Sequence, residues 1–232
     1  MPGRLRKVII TVAGNRMALR TFYYPWRVFP YPVRRVMASL YIVMTLFSKK
    51  VFRVDRQNDL TPASELLSLS FWGVPEMDLK DYRLRIEGAV EQPSSLAFDE
   101  IRALPSVTRQ VRMDCVGGTR NNSVMKGVPV QEFLDRAGVQ PQARRAVFHC
   151  ADGYYVSIRL EELLQREAFL AYAINDEEVP RMGYPLRLAM PGKYGFQWAK
   201  WVVRIELAAD DRKGHWARLG LPDRADVGDI WK

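Results

Sequence analysis

One stretch constrains the chain more than any other: Gln110-Val111-Arg112-Met113-Asp114-Cys115-Val116-Gly117-Gly118-Thr119-Arg120-Asn121-Asn122. Its first half alternates polar and apolar side chains, the period of a strand with one buried face. The pattern breaks at a cysteine followed, one residue on, by two glycines. A thiol at the end of a rigid strand, faced by a turn that lets backbone approach, suits a metal-ligand or nucleophilic sulfur. A cysteine there also packs well as a small hydrophobe, so the rest of the chain must decide.

Further elements follow from pattern. Tyr82–Val90 alternates as a strand. Leu96–Leu104 has helical spacing and stops at Pro105. Val107–Cys115 is the next strand, followed by a Gly-rich loop. Gly127–Gly138 has a proline near its start and a glycine at its end, which predicts a helix. Ala146–Cys150 and Tyr154–Ile158 flank the Asp152-Gly153 turn as a hairpin. Leu160–Glu167 reads as a short helix. Phe169–Asn175, Leu186–Met190 and Ala199–Leu207 complete the strands, and Gly214–Lys232 reads as a polar tail laid over the surface. Strands and short helices alternate irregularly, with no even βαβ repeat and no phosphate loop, so the expected class is α+β.

Two cysteines, Cys115 and Cys150, exclude a disulfide-stapled scaffold. They leave open a single redox pair. With only His149 and His215 beside them and no C-x-x-C, a structural zinc site is not expected. The net charge of +9 is unevenly spread. Residues 1–50 hold ten basic residues and no acid, which leaves 25 of the chain's 35 basic residues against 26 acidic ones in residues 51–232. The expected organisation is a basic, aromatic arm (1–50), a linker and entry segment (51–80) and a near-neutral domain (81–232).

Within the arm, Val36–Ser48 is an apolar run between Arg34-Arg35 and Lys49-Lys50. Thirteen helical residues reach only about 20 Å, short of a bilayer core. The arm fits a helix lying on an anionic membrane surface; the alternative is a helical extension packed on the globule or on a second copy. Nucleic acid is not an expected partner, because residues 51–232 offer no basic face. Where the protein resides is left open.

Four blocks, taken in order, resemble the molybdopterin-binding domain of the sulfite oxidase family. They are Leu84–Val90; Cys115 with Gly127-Val-Pro-Val130 and Ala137-Gly-Val139; Asp152-Gly-Tyr154 with Ser157; and Pro185-Leu-Arg187, Pro191-Gly-Lys-Tyr-Gly195 and Lys200-Trp201. The resemblance implies mixed sheets and short helices around a molybdenum–molybdopterin cofactor, with Cys115 as the protein's metal ligand. A soft thiolate suits a metal already held by the two dithiolene sulfurs of the pterin. Arg187, Gly192, Lys193, Tyr194, Gly195 and Lys200 match the cofactor-binding block, where cations and backbone N–H groups would meet the phosphate. Tyr154 matches the active-site tyrosine, although Tyr155 is an equal candidate for the inward position. Arg120 matches an arginine of the anion pocket. The implied activity is oxygen-atom transfer to or from a small sulfite- or sulfoxide-like substrate, with electrons exchanged with an external carrier such as a haem protein. Met182 stands where the family usually has a histidine, and Met125 where it commonly has a tryptophan. These departures keep a second reading open: a cofactor-free, membrane-associated binding module that retains the fold.

Overall fold

The computed structural model describes residues 26–52, 59–66, 68, 70, 73–116 and 120–228, with residues 45–52 as backbone only. Two sheets carry the fold. The first has five strands in the order β2-β1-β9-β5-β6: β1 (Arg83–Gly88), β2 (Ser94–Ala97), β5 (Arg145–Cys150), β6 (Tyr155–Arg159) and β9 (Val202–Ala208). The second has four, β3-β4-β7-β8: β3 (Val107–Asp114), β4 (Arg120–Pro129), β7 (Phe169–Ile174) and β8 (Arg187–Ala189). Among these described strands, only β1 and β9 pair in parallel. That pairing brings chain ends more than a hundred residues apart together, and the mixed sheets with short helices establish the α+β class.

The local reasons are plain in the sequence. In β1, Leu84 and Ile86 are buried while Arg83 and Arg85 face water. β5 is buried almost throughout, as befits a strand flanked by β9 and β6. The helices of the globule are short: α2 (Phe98–Arg102), α3 (Val130–Ala137), α4 (Leu160–Gln165) and α5 (His215–Arg218). Helix α3 turns Val130, Phe133, Leu134 and Ala137 inward and ends at Gly138, whose φ of 62° needs no Cβ. The main core joins both sheets through residues such as Ile86, Phe98, Phe133, Phe148, Phe169 and Leu188.

Three expectations change. Residues 120–122 are the start of strand β4, not loop. Asn121, Asn122 and Ser123 are buried, and the entry segment satisfies part of their polarity: the Thr61 N–H donates to the Asn122 carbonyl at 2.7 Å and the Asn122 N–H to Thr61 Oγ1 at 3.1 Å. Gly127 belongs to that strand as well. A Cβ there would lie 2.1 Å from the Leu170 carbonyl oxygen, so the glycine lets β7 close up, and the helix starts only after Pro129. Finally, the Gly214–Lys232 tail is not merely laid over the surface: Ala217, Leu219, Leu221 and Ala225 are buried.

What the tail buries against is the arm. Helix α1 spans Tyr31–Phe52, longer than its apolar run. The Trp26 indole donates to the Leu219 carbonyl at 2.9 Å. Gly220, at φ 108°, brings the chain against the backbone of Arg34 and Arg35. The arm belongs to two small apolar clusters separate from the main core. Among the described residues, no helix is long and apolar enough to cross a membrane.

Candidate active site

Cys115 follows β3 directly, and the antiparallel register with β4 sets Asp114 opposite Arg120. Gly117 and Gly118, expected to admit close backbone approach, lie outside the described residues. Cys115 and Cys150 both remain thiols. Cys150 is buried at the end of β5, where desolvation pushes its thiol up. Asp114 is buried and pairs with Arg120 Nε at 2.8 Å and, more loosely, with Arg112 at 3.5 Å. Arg120 is thus fixed beside the cysteine by a carboxylate that sequence reading did not single out.

The 191–195 loop reaches the same strand end. An isolated parallel bridge joins Asp114 to Tyr194, and a Cβ on Gly195 would come within van der Waals range of Met113 and the Asp114 carbonyl. The loop's other half turns elsewhere. Lys193 is buried, with its ammonium 2.9 Å from Glu162 and 2.8 Å from Asp226, and it donates to the Arg224 carbonyl at 2.7 Å. Gly192, at φ 78°, abuts the Arg166 guanidinium, which itself pairs with Asp226 at 2.9 Å. The N–H groups of Lys193 and Tyr194 are committed to Met190 and Ala225 carbonyls. The structure therefore separates the residues of this block. Tyr194 and Gly195 stand beside the cysteine strand, while Gly192 and Lys193 staple the C-terminal tail.

Arg187 and Lys200 behave differently. Arg187, on edge strand β8, is 2% exposed. It donates to the Met182 carbonyl at 2.8 Å and touches the Met113 thioether at 3.3 Å, which brings it to the strand that ends in Cys115. Its Nε is buried with no partner, and among the described residues it has no carboxylate. Burial pushes it down to about 10. Lys200 donates to Ser68 Oγ at 2.7 Å and lies 4.3 Å from the Trp201 ring centroid. Burial first, then the Arg187 charge, lower it to about 7, with Asp152 and Cys150 opposing. Gly183 admits both side chains, since a Cβ there would fall 2.9 Å from Arg187 Cβ and 3.0 Å from Lys200 Cβ.

The tyrosine pair divides clearly. Tyr154 donates its hydroxyl to the Phe196 carbonyl at 2.6 Å, next to Gly195, and packs its ring 5.3 Å from His215. Tyr155 instead accepts from Arg218 at 3.0 Å on the exposed side. A further tyrosine arrives from the arm. Tyr41 packs with Val116 and Phe196. Burial, and secondarily the neighbouring Cys115, push its phenol up to about 12. Nothing in the sequence distinguished Tyr41 of α1 or Ser68 of the entry segment as neighbours of the site, because both reach it only through the tertiary fold.

A phosphate-bearing pterin fits what is present. Thiols stand at two strand ends, Cys115 half-buried and Cys150 buried, and two cations lie together, Arg187 buried with an orphaned donor and Lys200 half-buried beside it. Among the described residues there is no cluster of three or more His, Cys, Asp or Glu side chains that could hold a metal ion.

Comparison with known proteins agrees. The family described as "Oxidoreductase molybdopterin binding domain" matches residues 71–216. The uncharacterized oxidoreductase YuiH of Bacillus subtilis is 31% identical over 157 residues, covering 67% of this chain and 78% of YuiH. The putative protein-methionine-sulfoxide reductase subunit YedZ1 of Azospira oryzae is 32% identical over 148 residues, 63% of this chain and 56% of that protein. The mitochondrial sulfite oxidase of Drosophila melanogaster is 30% identical over 172 residues, which cover 62% of this chain and 30% of that protein. The crystal structure of the sulfane dehydrogenase SoxCD from Paracoccus pantotrophus superposes with a TM-score of 0.63 at 26% identity, over 68% of this chain and 46% of that one. The chain belongs to the oxidoreductase molybdopterin-binding domain family and is a molybdenum-dependent oxidoreductase.

Proposed function

We propose that the protein transfers an oxygen atom to or from a small sulfite- or sulfoxide-like substrate, exchanging electrons with an external carrier such as a haem protein. The observation that carries the site assignment is Arg187: a buried guanidinium with an orphaned Nε, beside Lys200 and one thioether away from the cysteine strand. When bound, the cofactor supplies a metal with two oxidation states two electrons apart, matched to gain or loss of one oxygen atom.

The chain's own residues do the rest. Cys115 supplies one soft thiolate ligand. Arg187 and Lys200 bind the pterin phosphate, about two negative charges that would otherwise be costly to bury. Asp114 holds Arg120 through Nε and so aims its planar fork at an anionic substrate. Tyr154, anchored by the Phe196 carbonyl, offers a hydroxyl that accepts a hydrogen bond as it stands and donates one after rotation. Tyr194 and Gly195 shape the wall beside Asp114. Gly192 and Lys193 are assigned to holding the tail rather than to the phosphate. The catalytic unit is residues 81–232, with residues 51–80 contributing Ser68 as the rest for Lys200. Residues 1–50 are assigned to an anionic membrane surface, supported by their ten basic residues and lack of acids.

Metal analysis of purified, cofactor-loaded protein should find about one molybdenum per chain. That preparation should turn over sulfite or a sulfoxide with an artificial electron carrier. Folded protein that takes up no molybdenum under the same conditions would refute the site assignment.

A further inference from the structure

Helix α1 has two apolar faces. Met37, Ala38, Tyr41 and Ile42 point inward, with Ala38 and Ile42 each 1% exposed. Val33, Val36, Leu40, Val43 and Met44 point outward and are 42–70% exposed. Their i, i+3, i+7, i+10, i+11 spacing makes a continuous stripe roughly 100° wide on the helix. Five large apolar side chains in one stripe are not a neutral feature of a water-facing surface. Arg34-Arg35 fall between the first two residues of the stripe in sequence, Lys49-Lys50 follow it, and the whole arm is without an acid. An apolar stripe set among cations complements an interface of acyl chains and anionic headgroups better than it complements a second, equally basic copy of itself.

The inner face adds position to that contact. It packs on Val116, the residue after Cys115, on Phe196, whose carbonyl holds Tyr154, and on Tyr194, which bridges to Asp114. We propose that α1 is at once the lipid-docking element and the roof of the Cys115 site, so that docking holds the substrate side of the site toward an anionic bilayer, one helix thickness away. The inference rests on the membrane-surface assignment of residues 1–50 and deepens it by fixing which side of the enzyme faces the lipid. No detachment of the helix is needed, since its two faces are served at once.

The test uses the full, cofactor-loaded chain with vesicles of phosphatidylcholine, with and without phosphatidylglycerol. Wild-type protein should co-sediment with the anionic vesicles, and V36D/L40D, altered only at exposed positions, should bind at least about tenfold more weakly. On binding, backbone hydrogen exchange should slow several-fold, as an order of magnitude, in residues 33–44 and in 194–198 and 216–221 beneath them. Binding that V36D/L40D weakens but that leaves 194–198 and 216–221 unchanged would overturn the roof while sparing the membrane-surface assignment. Absence of binding to anionic vesicles would overturn both. A wild-type dimer that V36D/L40D dissociates, with no vesicle binding, would replace lipid by a second copy and likewise overturn the proposal. None of these readouts depends on which substrate is turned over.

Discussion

Two places in this molecule bury a cation from the same neighbourhood of the chain, and they do so in opposite ways. Lys193 sits among carboxylates: Glu162 and Asp226 contact its ammonium, with Arg166 and Arg224 drawn to the same acids. Arg187 sits among a carbonyl, a thioether and a second cation, with one donor unused. A buried charge that is fully paired holds structure together, whereas one left short of a counter-charge is costly and would be relieved by an anion. Both belong to one basic, glycine-punctuated block, and only the geometry tells the staple from the socket.

The largest effect tests whether the socket serves Cys115 at all. Cys115→Ser should bring oxygen-atom transfer below detection while the circular dichroism and melting of the protein stay unchanged, because a hydroxyl is a poor ligand for a soft site. A Cys115→Ser enzyme with near wild-type turnover would detach Arg187 and Lys200 from any role beside that sulfur.

Next in size are the paired substitutions that set staple against socket. Lys193→Met takes from Glu162 and Asp226 their one buried cation and leaves them only the more exposed Arg166 and Arg224, and it should cost about 3 kcal/mol in urea unfolding. The molybdenum content of the protein that remains folded should be unaltered. Arg187→Met should do the reverse. It removes a charge that lacks a carboxylate, so stability of the cofactor-free protein should move by no more than about 1 kcal/mol. Cofactor retention should fall by about 10- to 100-fold, the worth of a charge-assisted hydrogen bond to phosphate. Equal loss of stability in both variants would erase the distinction.

The sequence made part of this legible. The strand ending at Cys115 was readable because alternation is a strong signal over eight residues, and α3 carried both of its end signals apart from a start displaced by Gly127. β4 was not readable, because Asn121, Asn122 and Ser123 look like loop. They are buried strand because residues 59–66 lie alongside and take up the hydrogen bonds of Asn122, a partnership about sixty residues away in the chain, while the Ser123 hydroxyl is buried without a partner. The glycines and cations of residues 187–200 were visible as a set. Their division was not, since Glu162 and Asp226 lie on an earlier helix and in the tail, and no spacing rule links them to Lys193. The arm was legible as charge and hydrophobicity, but not as a neighbour of Val116.

A pH series sharpens the contrast with a smaller effect of defined sign. Lys200 drops from 10.5 to about 7 through burial and the Arg187 charge. Between those values the folded chain holds fewer protons than the unfolded one. Cofactor-free protein should therefore gain stability as pH rises from about 7 toward 10.5, and lose that gain as pH falls back through 7. Phosphate binding needs the ammonium form, so cofactor retention should weaken over the same rise. Opposite slopes for stability and retention, both flattened in Lys200→Met, are the expected result. Parallel slopes would mean that Lys200 does not face the phosphate.

The smallest effect separates two glycines three residues apart. Gly192 has φ 78°, and a Cβ would fall 2.1 Å from an Arg166 guanidinium nitrogen, the far end of a flexible side chain. Gly192→Ala should therefore cost about 1 kcal/mol, mostly backbone strain with some loosening of the Arg166–Asp226 pair, and should spare the cofactor. Gly195 has no such backbone demand, and a Cβ there meets Met113 and Asp114 at 3.5–3.6 Å, ordinary contact distance. Gly195→Ala should leave the melting temperature of cofactor-free protein unchanged, yet lower cofactor retention, because the added methyl narrows the approach beside the cysteine strand. Should Gly195→Ala instead lower stability and leave retention alone, Gly195 would join Gly192 and Lys193 on the structural side of the loop, and the socket would be confined to Arg187 and Lys200.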